Sequence, residues 1–448
     1  MSKLELPNTR YDIKRQPIND KTNAWNTILP TRIAHASLSN NIKADWLVIG
    51  AGYAGVAAAR RLAENHSDQK IVVVEAGECG ENASGRNSGF VIDVPHTTSS
   101  SLDQLEGSHR HMRLARAATQ ELTALVAKHK IECDWSVDGK YHGAVTDRGA
   151  EAMLKPFANE LDALGEAYDW VGADELAVKL GTHHFKHAIY TPGCVLMNPA
   201  ALVRGLADTL PDNVTLYEHS AVVAMTSANG VTVTTSAGSI NAPRMILAAN
   251  GFSDQFGYKA NAFVHLALRA SLTRPLSQSE RDAYGVANPW GLTPANAFGG
   301  VTMRYTNDHR LLIRQDIKLS MQQNMLASKT QAIKAQHLQV LRDRFPSIPE
   351  VTLEDIWVGY ICMSRNGAPA FGKLASNIWI SACQNGIGVT KGTISGLCVA
   401  DLASGRDNPL IDDLHALGTP ELLPLRPLLE VGARAKICWE TFKNRHEA

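Results

Sequence analysis

The sequence predicts an α/β protein with a Rossmann-like nucleotide-binding domain and a second domain, and three observations support this. A G-x-G-x-x-G run at Gly50, Gly52 and Gly55 lies between an apolar strand and an alanine-rich helix. A second apolar strand follows and ends at Glu75, twenty residues after the last of these glycines. The chain has 448 residues, about three times the ~150 residues typical of one domain, so two or three lobes are expected.

The composition indicates a globular protein that binds a small molecule. Hydrophobic residues make up 44% of the chain and charged residues 20%, which is enough to build a large core. The 44 basic and 44 acidic residues balance, so charge favours neither nucleic acid nor an anionic membrane as the main partner. Seven scattered cysteines without a CxxC pair suggest reduced thiols. No secretory signal or membrane span is visible, and we expect a soluble, cytoplasmic protein.

The glycine run has a specific physical task at each position. Gly50 permits a tight turn, Gly52 lets the backbone approach a pyrophosphate, and Gly55 lets the helix pack closely on the strand. The helix begins near Tyr53 and Ala54, where free N–H groups and the positive end of the helix dipole favour phosphate. A glycine-rich turn that binds nothing is the alternative reading of this motif.

The end of the second strand carries the residue expected to meet a ribose. Glu75, followed by Ala76, has the spacing at which an acid accepts a hydrogen bond from a ribose hydroxyl. A polar, glycine-rich loop from Gly77 to Phe90 follows, in place of the helix and third strand of a simple nicotinamide domain. Its many donors could lie along an extended cofactor.

The loop contains the stretch Ala83-Ser84-Gly85-Arg86-Asn87, and here the chain resembles a known family. It resembles the amine-oxidising flavoproteins of the D-amino acid oxidase superfamily, and most closely the gamma-glutamylputrescine oxidase group. The likeness recurs in order at Pro192–Pro199, Met245–Gly251 and Gln384–Thr390. It implies noncovalent FAD, with the backbone of Val222 at the adenine.

The motifs and the resemblance together predict a set of cofactor-binding residues. Gly386 and Gly388 would let the backbone crowd a planar ring, and a helix beginning near Val389 would point its positive end at the flavin's pyrimidine edge. A purely structural role, in which Gly392 and Gly396 pack this helix on the sheet, is the alternative. The predicted FAD residues are Gly50, Gly52, Tyr53, Ala54, Gly55, Glu75, Ala76, Ser84, Gly85, Arg86, Asn87, Ser88, Val222, Asn250, Gly251, Gly386, Gly388, Val389 and Thr390.

The resemblance also implies a domain organisation. A discontinuous FAD-binding domain would combine 42–100, 195–255 and 355–405, and an α+β substrate domain with an antiparallel sheet would combine 101–194 and 256–354. An N-terminal arm, 1–41, and a C-terminal helical tail, 406–448, would flank them. The local pattern predicts helices at Met112–Lys128, Lys329–Phe345 and Leu428–Lys443, and strands at Val214–Met225, Ala267–Thr273 and Leu311–Arg314. We expect the tail to dock near Trp25 of the arm, with partner or membrane binding as the alternative.

The departures from the family concern the substrate. Ile361 stands where amino-acid oxidases of the superfamily place an arginine that clamps the substrate carboxylate. Thr390 stands where sarcosine oxidases place a lysine, and Lys391 follows it. Arg314 could anchor a distal phosphonate, sulfonate or carboxylate, or could form a surface ion pair. Cys362 is interpreted as a small buried residue near the ring and not as a covalent linkage.

The predicted activity is FAD-dependent oxidation of an aliphatic amine with a distal polar or anionic group. A hydride would pass from the C–H next to nitrogen to FAD N5, and the imine would hydrolyse to an aldehyde and an amine or ammonia. No protein residue is assigned to the chemical step, and the substrate-binding candidates are Arg314, Ile361, Cys362 and Lys391. Oxygen or an electron carrier would reoxidise the flavin, and no metal is expected, because His183, His184 and His187 have no acid motif nearby.

Two other functions remain open from the sequence. The chain could be an amino-acid or N-methyl amino-acid oxidase or dehydrogenase, like glycine or sarcosine oxidase, that uses Lys391 or Arg314 in place of the missing arginine. It could also be a noncatalytic flavoprotein module that binds a partner and uses flavin structurally.

Overall fold

A computed structural model describes residues 9–95, 100, 102–228, 230–258, 261–326 and 331–447. Numbered along the chain, its strands are β1 (Thr9–Asp12), β2 (Asn41–Lys43), β3 (Trp46–Ile49), β4 (Ile71–Val74), β5 (Phe90–Val91), β6 (Lys140–Ala144), β7 (Asp169–Gly172), β8 (His187–Thr191), β9 (Val195–Leu196), β10 (Val214–Tyr217), β11 (Ala224–Ala228), β12 (Gly230–Thr234), β13 (Ser239–Ala242), β14 (Arg244–Leu247), β15 (Val264–Thr273), β16 (Trp290–Pro294), β17 (Thr302–Tyr305), β18 (Leu311–Leu319), β19 (Leu353–Met363), β20 (Ala370–Ala375) and β21 (Ile378–Ala382).

The helices connect and cover these strands. They are α1 (Ala24–Thr27), α2 (Tyr53–Asn65), α3 (Leu105–His129), α4 (Asp147–Gly149), α5 (Lys155–Leu164), α6 (Ala173–Leu180), α7 (Pro199–Asp208), α8 (Gln278–Tyr284), α9 (Gln331–Arg344), α10 (Gly388–Ala403), α11 (Leu410–Ala416) and α12 (Leu428–Lys443). A π-helical turn, Ala150–Leu154, joins α4 to α5, and 3-10 turns occupy Leu102–Gln104, Asn250–Phe256 and Arg445–Glu447.

A six-stranded sheet of order β10-β4-β3-β14-β21-β20 forms the centre of the fold. Its first five strands are parallel, and β20 is antiparallel. Each residue of β3 and β4 is buried, as expected for parallel strands that are covered on both faces. Trp46 and Val48 of β3 pack with the helical layer of α2 and α7, and Leu47 and Ile49 pack with a second sheet on the other face. The predicted Rossmann-like α/β fold is confirmed.

Two further sheets surround this centre. The five-stranded sheet β1-β11-β12-β13-β2 covers one face of the central sheet, and the N-terminal strands β1 and β2 form its edges. The eight-stranded sheet β19-β15-β18-β17-β16-β6-β8-β7 is antiparallel except at the β16–β6 pair. Its outer face packs on Leu341 of α9 and on Phe345. The expected antiparallel sheet of an α+β unit is therefore present, with one parallel pair.

The predicted single strand Val214–Met225 is wrong, because it is divided between two sheets. β10 ends at Tyr217 and pairs with β4, whereas β11 starts at Ala224 and pairs with β1 and β12. Between them the side chain of Glu218 is fully buried, and His219 has a φ of 50°. The alternating pattern therefore spans two strands, β10 and β11, and Val222 lies in the segment that connects them.

The predicted helices occur, although their neighbours differ from the expected ones. The helix expected at Met112–Lys128 is the central part of α3, which packs on α10 and α7 of the central unit. The tail helix α12 has the predicted bounds, but it packs against β18, and the Glu447 carboxylate beyond it accepts a hydrogen bond from Val145 N at 2.8 Å. It does not lie beside Trp25, whose ring contacts Trp357. The predicted start of the α9 helix at Lys329 lies outside the described residues.

Trp357 of β19 gives a test of this packing. Its side chain is fully buried, its ring meets Trp25 edge-on at 6.4 Å, and its Nε1 donates to Arg86 O at 3.1 Å. Because truncation would leave a large cavity, we expect Trp357→Ala to lower the free energy of unfolding by about 3–5 kcal/mol. Urea denaturation of the apoprotein measures this change in the free energy of unfolding.

Trp439 of α12 provides the matched control. Its side chain is 62% exposed, so Trp439→Ala should change the free energy of unfolding by less than about 0.5 kcal/mol. Equal losses in the two variants would contradict the packing described here.

Candidate active site

An elongated cavity runs along the carboxyl edge of the parallel sheet. The segments that line it follow β3, β4, β14 and β21, which all end at this edge. Ligands bind at such an edge in open α/β sheets, because the loops there converge and the backbone N–H groups of helix N-termini face outward. The cavity is lined in part by Gly50, Gly52, Glu75, Ser84, Val222, Asn250, Gly251, Gln384, Gly386 and Gly388.

The turn after β3 requires glycine for steric reasons. Gly50 has a φ of 98°, and a Cβ atom there would lie 2.8 Å from Ala248 O. A Cβ atom on Gly55 would lie 1.8 Å from Gly50 O. At Gly52 a Cβ would come within 2.6 Å of Ser84 Oγ, so this backbone and the polar loop approach each other at the cavity wall. No side chain separates the α2 N-terminus from the cavity at these positions.

Glu75 stands beside this turn. Its Oε2 accepts a hydrogen bond from Ala51 N at 2.8 Å, and its Oε1 accepts from Gly77 N at 3.1 Å. Burial raises the pKa of Glu75 above its ordinary value. Ser220 N donates to Glu75 O at 2.8 Å, which places Val222 at the same end of the cavity. A diol in the cavity could therefore donate to this carboxyl group while its adjoining base meets the backbone near Val222.

The other end of the cavity is formed by the start of α10. Gly386 has a φ of 85°, and Gly388 is the first helical residue. Gln384 lines this end, and its buried Oε1 atom has no hydrogen-bond partner in the described part of the chain. Free helix N–H groups and the positive end of the dipole can stabilise an electron-rich ring edge here. The two ends together fit the extended cofactor that the sequence predicts, because each offers polar groups to a different part of it.

A second cavity adjoins the first on the side of the eight-stranded sheet. The two share six residues, namely Ala83, Asn87, Tyr360, Ile361, Gly386 and Gly388. The second cavity extends to Arg314 on β18 and Thr302 on β17, past apolar side chains that include Phe90, Ile92, Leu268 and Val389. A substrate in it would lie next to the end of the first cavity where α10 begins.

Arg314 is the principal charge of the second cavity. Its Nη2 donates to Thr302 Oγ1 at 2.6 Å, and it forms no ion pair with any described residue. Burial lowers the pKa of Arg314 to about 10, and no acidic neighbour counters this effect. Arg86 also lines this cavity, but Asp20 pairs with it at 2.8 Å. The Arg314 guanidinium is thus the available partner for an anion.

The structure distributes the predicted residues among three places. Those lining the first cavity are Gly50, Gly52, Tyr53, Ala54, Glu75, Ala76, Ser84, Asn87, Val222, Asn250, Gly251, Ile361, Cys362, Gly386 and Gly388. Those lining the second are Arg86, Asn87, Ser88, Arg314, Ile361, Gly386, Gly388 and Val389. Gly55, Gly85, Thr390 and Lys391 line neither.

The residues outside both cavities have visible packing roles. A Cβ on Gly85 would lie 1.9 Å from Gly80 O, so this glycine permits the loop to close on itself. Lys391 is 8% exposed, and burial lowers its pKa to about 8. Burial, with a smaller contribution from the charge of Lys391, lowers the pKa of His111 to about 4. Lys391 is therefore a buried base outside the lining of both cavities.

The structure also brings in residues that the sequence did not single out. Ile13, Arg15, Gln16, Pro17 and Ile18 of the N-terminal arm line the first cavity. No local motif marks this segment, because its contacts join positions more than 200 residues apart, such as Arg15 and Asp254. Tyr360 lines both cavities, and its hydroxyl donates to Met325 O at 2.6 Å.

The described residues hold neither a candidate metal-binding cluster nor a candidate membrane-spanning helix. They contain no group of three or more His, Cys, Asp and Glu side chains that could hold a metal ion. His187 pairs instead with Asp147 at 2.9 Å. No described helix is long and apolar enough to cross a membrane.

Comparison with known proteins identifies relatives over most of the chain. The family described as DAO, FAD dependent oxidoreductase, matches residues 45–402. A probable oxidoreductase OrdL from Haemophilus influenzae is 26% identical over 414 residues, which cover 90% of this chain and 92% of that protein. A gamma-glutamylputrescine oxidoreductase from Escherichia coli is 24% identical over 383 residues, covering 82% and 85% of the two chains. The predicted superfamily is confirmed.

Solved structures share the fold. Glycine oxidase from Geobacillus kaustophilus aligns with a TM-score of 0.69 and 18% identity, covering 82% of this chain and 96% of that chain. Iminodiacetate oxidase from Chelativorans aligns with a TM-score of 0.64 and 17% identity, covering 81% and 96%.

Gly55 tests the close approach at the cavity. Because a Cβ there would lie 1.8 Å from Gly50 O, Gly55→Ala must displace α2 from the turn. We expect the Kd for FAD to rise at least about tenfold, which corresponds to about 1.4 kcal/mol of binding free energy, and the flavin content of the purified protein to fall as a result. The ratio of visible to ultraviolet absorbance measures this. Gly107→Ala is the control, since a Cβ there meets nothing within 4 Å, and equal flavin contents in the two variants would contradict the steric argument.

Lys391 makes a pH-dependent contribution to stability. Its pKa is lowered by burial from 10.5 to about 8, so between these values the unfolded chain holds a proton that the folded protein has released. Unfolding free energy attributable to this group therefore rises as pH increases from about 8 to 10.5. Relative to Lys391→Met, the wild type should gain stability across this range in urea denaturation. Lys128→Met removes an exposed lysine and should show no such trend, and a flat difference for Lys391→Met would contradict the assignment.

Proposed function

The chain belongs to the DAO family of FAD-dependent oxidoreductases, and from this membership we propose that it oxidises an aliphatic amine that carries an anionic group away from its nitrogen. Oxidation of an amine or amino acid with FAD is the activity that the family supports. The name of the Escherichia coli relative gives gamma-glutamylputrescine, an amine, as what that protein acts on, and this supports an amine for the present chain.

The observation that carries the proposal is the position of Arg314. It lies in the cavity next to the start of α10, its only described side-chain hydrogen bond is to Thr302, and it has no carboxylate partner among described residues. The Arg314 side chain is half-buried, and removing an unpaired cation even partly from water costs free energy. An anionic substrate group would pair with it and offset this cost.

The first cavity would hold FAD in an extended form. The turn at Gly50 and Gly52 and the α2 N-terminus would meet the pyrophosphate, Glu75 would accept from the ribose, and the start of α10 would face the isoalloxazine. When bound, FAD supplies the acceptor for a hydride from the C–H next to the amine nitrogen. Oxygen or an electron carrier would then reoxidise it.

The protein would favour the uncharged amine, which is the form that loses a hydride. The described lining of the second cavity contains no aspartate, glutamate or histidine that could stabilise an ammonium ion. Apolar side chains such as Phe90 and Leu268 would exclude water and hold the carbon chain. Removal from water among these apolar side chains disfavours the ammonium form and so lowers the pKa of a bound amine. The imine product would hydrolyse to an aldehyde and ammonia or an amine.

Substitution of Arg314 tests the anionic group. We expect Arg314→Met to lower kcat/KM for an ω-amino carboxylate, phosphonate or sulfonate by about 10- to 100-fold, because a charge-assisted hydrogen bond is lost. An uncharged alkylamine of the same length should lose much less. Steady-state turnover, measured for each substrate with both proteins, gives the values of kcat/KM to be compared.

Lys318→Met provides the control, since this lysine lies on the same strand with 57% of its side chain exposed. Anaerobic bleaching of the flavin with a panel of amines and α-amino acids completes the test. Bleaching by α-amino acids alone would overturn the proposal in favour of an amino-acid or N-methyl amino-acid oxidase. A flavin that no member bleaches would favour a noncatalytic module.

A further inference from the structure

The N-terminal arm is held against the central unit by side chains of Gln255 and Gln16. Gln255 Oε1 accepts from Lys14 N at 3.1 Å and from Arg15 N at 2.7 Å, and its Nε2 donates to Arg15 O at 2.9 Å. Gln16 Nε2 donates to Val222 O at 2.8 Å. Gln255 thus pairs with backbone groups of the arm, and Gln16 pairs with a backbone group of the central unit. The arm is therefore docked by specific hydrogen bonds.

Arg15 adds an ion pair at the same place. Its Nη2 lies 2.6 Å from Asp254 Oδ1 and donates to Gly251 O at 3.0 Å. Its guanidinium also stacks over Phe252 at 5.4 Å, and its Nε has no partner in the described part of the chain. Only 15% of this side chain is exposed. The arginine therefore fixes the arm at the segment that follows β14.

The docked segment 13–18 faces the first cavity. Ile13, Arg15, Gln16, Pro17 and Ile18 all line it. Ile13 N donates to Val223 O at 2.9 Å, and Gln16 bonds to Val222. Because Val222 lies at the end of the cavity that contains Glu75, Ile13 and Gln16 place this segment at the end where the ribose and adenine would lie.

We propose that segment 13–18 is a wall of the FAD site, which holds the adenosine diphosphate end of the cofactor and slows its release. Residues before the first strand of the nucleotide-binding unit thus belong to the cofactor site. This inference rests on FAD as the cofactor and is independent of the amine substrate.

Binding and docking must then be linked thermodynamically. If the cofactor binds better when the arm is docked, then bound cofactor must also stabilise the docked arm. The binding constant of the cofactor and the equilibrium constant for docking change by the same factor. ADP should produce this effect as well as FAD, because ADP retains the part of the molecule that the segment covers.

The binding experiment compares FAD and ADP on the apoprotein by isothermal titration calorimetry. We expect Arg15→Ala/Gln16→Ala to raise the Kd of both ligands at least about tenfold, by about the same factor, since contacts that dock the wall are lost. Arg10→Ala is the control, because this side chain is 67% exposed and pairs with Asp12 on β1. Unchanged affinities, or a loss for FAD without one for ADP, would overturn the proposal.

A second measurement uses the wild-type protein and so does not depend on how the variant folds. Trypsin can cut after Lys14 and Arg15, and we expect saturating FAD or ADP to slow cleavage at these bonds at least about tenfold relative to apoprotein. Cleavage at the same rate with and without ligand would overturn the proposal. A protein that binds FAD but oxidises no amine would overturn the proposed function and leave the role of the arm standing.

Discussion

The architecture of the site depends on the close approach of α2 to its neighbours on two sides. A Cβ on Gly55 would lie 1.8 Å from Gly50 O, and one on Gly396 of α10 would lie 2.2 Å from Ala54 O. Backbone therefore meets backbone on both sides of α2, where a methyl group has no room. This contact brings the glycine turn, the end of β4 and the start of α10 to one cavity, although they come from distant parts of the chain.

Three arginines, Arg304, Arg86 and Arg314, differ in the partners that the protein gives to their guanidinium groups. Arg304 donates to Ser88 O, Gly89 O and Met197 O at 2.8–3.0 Å, and Arg86 pairs with Asp20 at 2.8 Å. Both groups are satisfied by the protein and hold loops in place. Arg314 has one described hydroxyl partner, Thr302. Arg314 is half-buried and lines the second cavity, so its lack of an ion pair among described residues distinguishes it from the two arginines that hold loops in place.

The sequence predicted what local spacing determines and missed what distant contacts determine. The strand, glycine turn and helix around Gly50 lie within twenty residues, so pattern and chemistry agree there. The strand expected through Val222 failed because alternation cannot show where a chain leaves one sheet for another. The arm was missed because Arg15 meets Asp254 across 239 positions, and the periodicity of α3 predicted a helix without its neighbours. The sequence leaves Arg314 open between an anchor for an anion and a surface ion pair, and only the fold shows that it has no acidic partner among the described residues.

The register of the eight-stranded sheet bears on the kind of anion that Arg314 can meet. Ile361, at the position where amino-acid oxidases place their clamp, pairs with Leu266 of β15, whereas Arg314 pairs with Ala270 of the same strand from the opposite side. The two positions are thus separated by two strand spacings of about 4.8 Å and by four residues along β15, each rising about 3.4 Å. An α-carboxylate lies next to the reacting carbon and would need the clamp at Ile361. The displacement of Arg314 across and along the sheet supports the proposal of an anionic group at the far end of a longer amine.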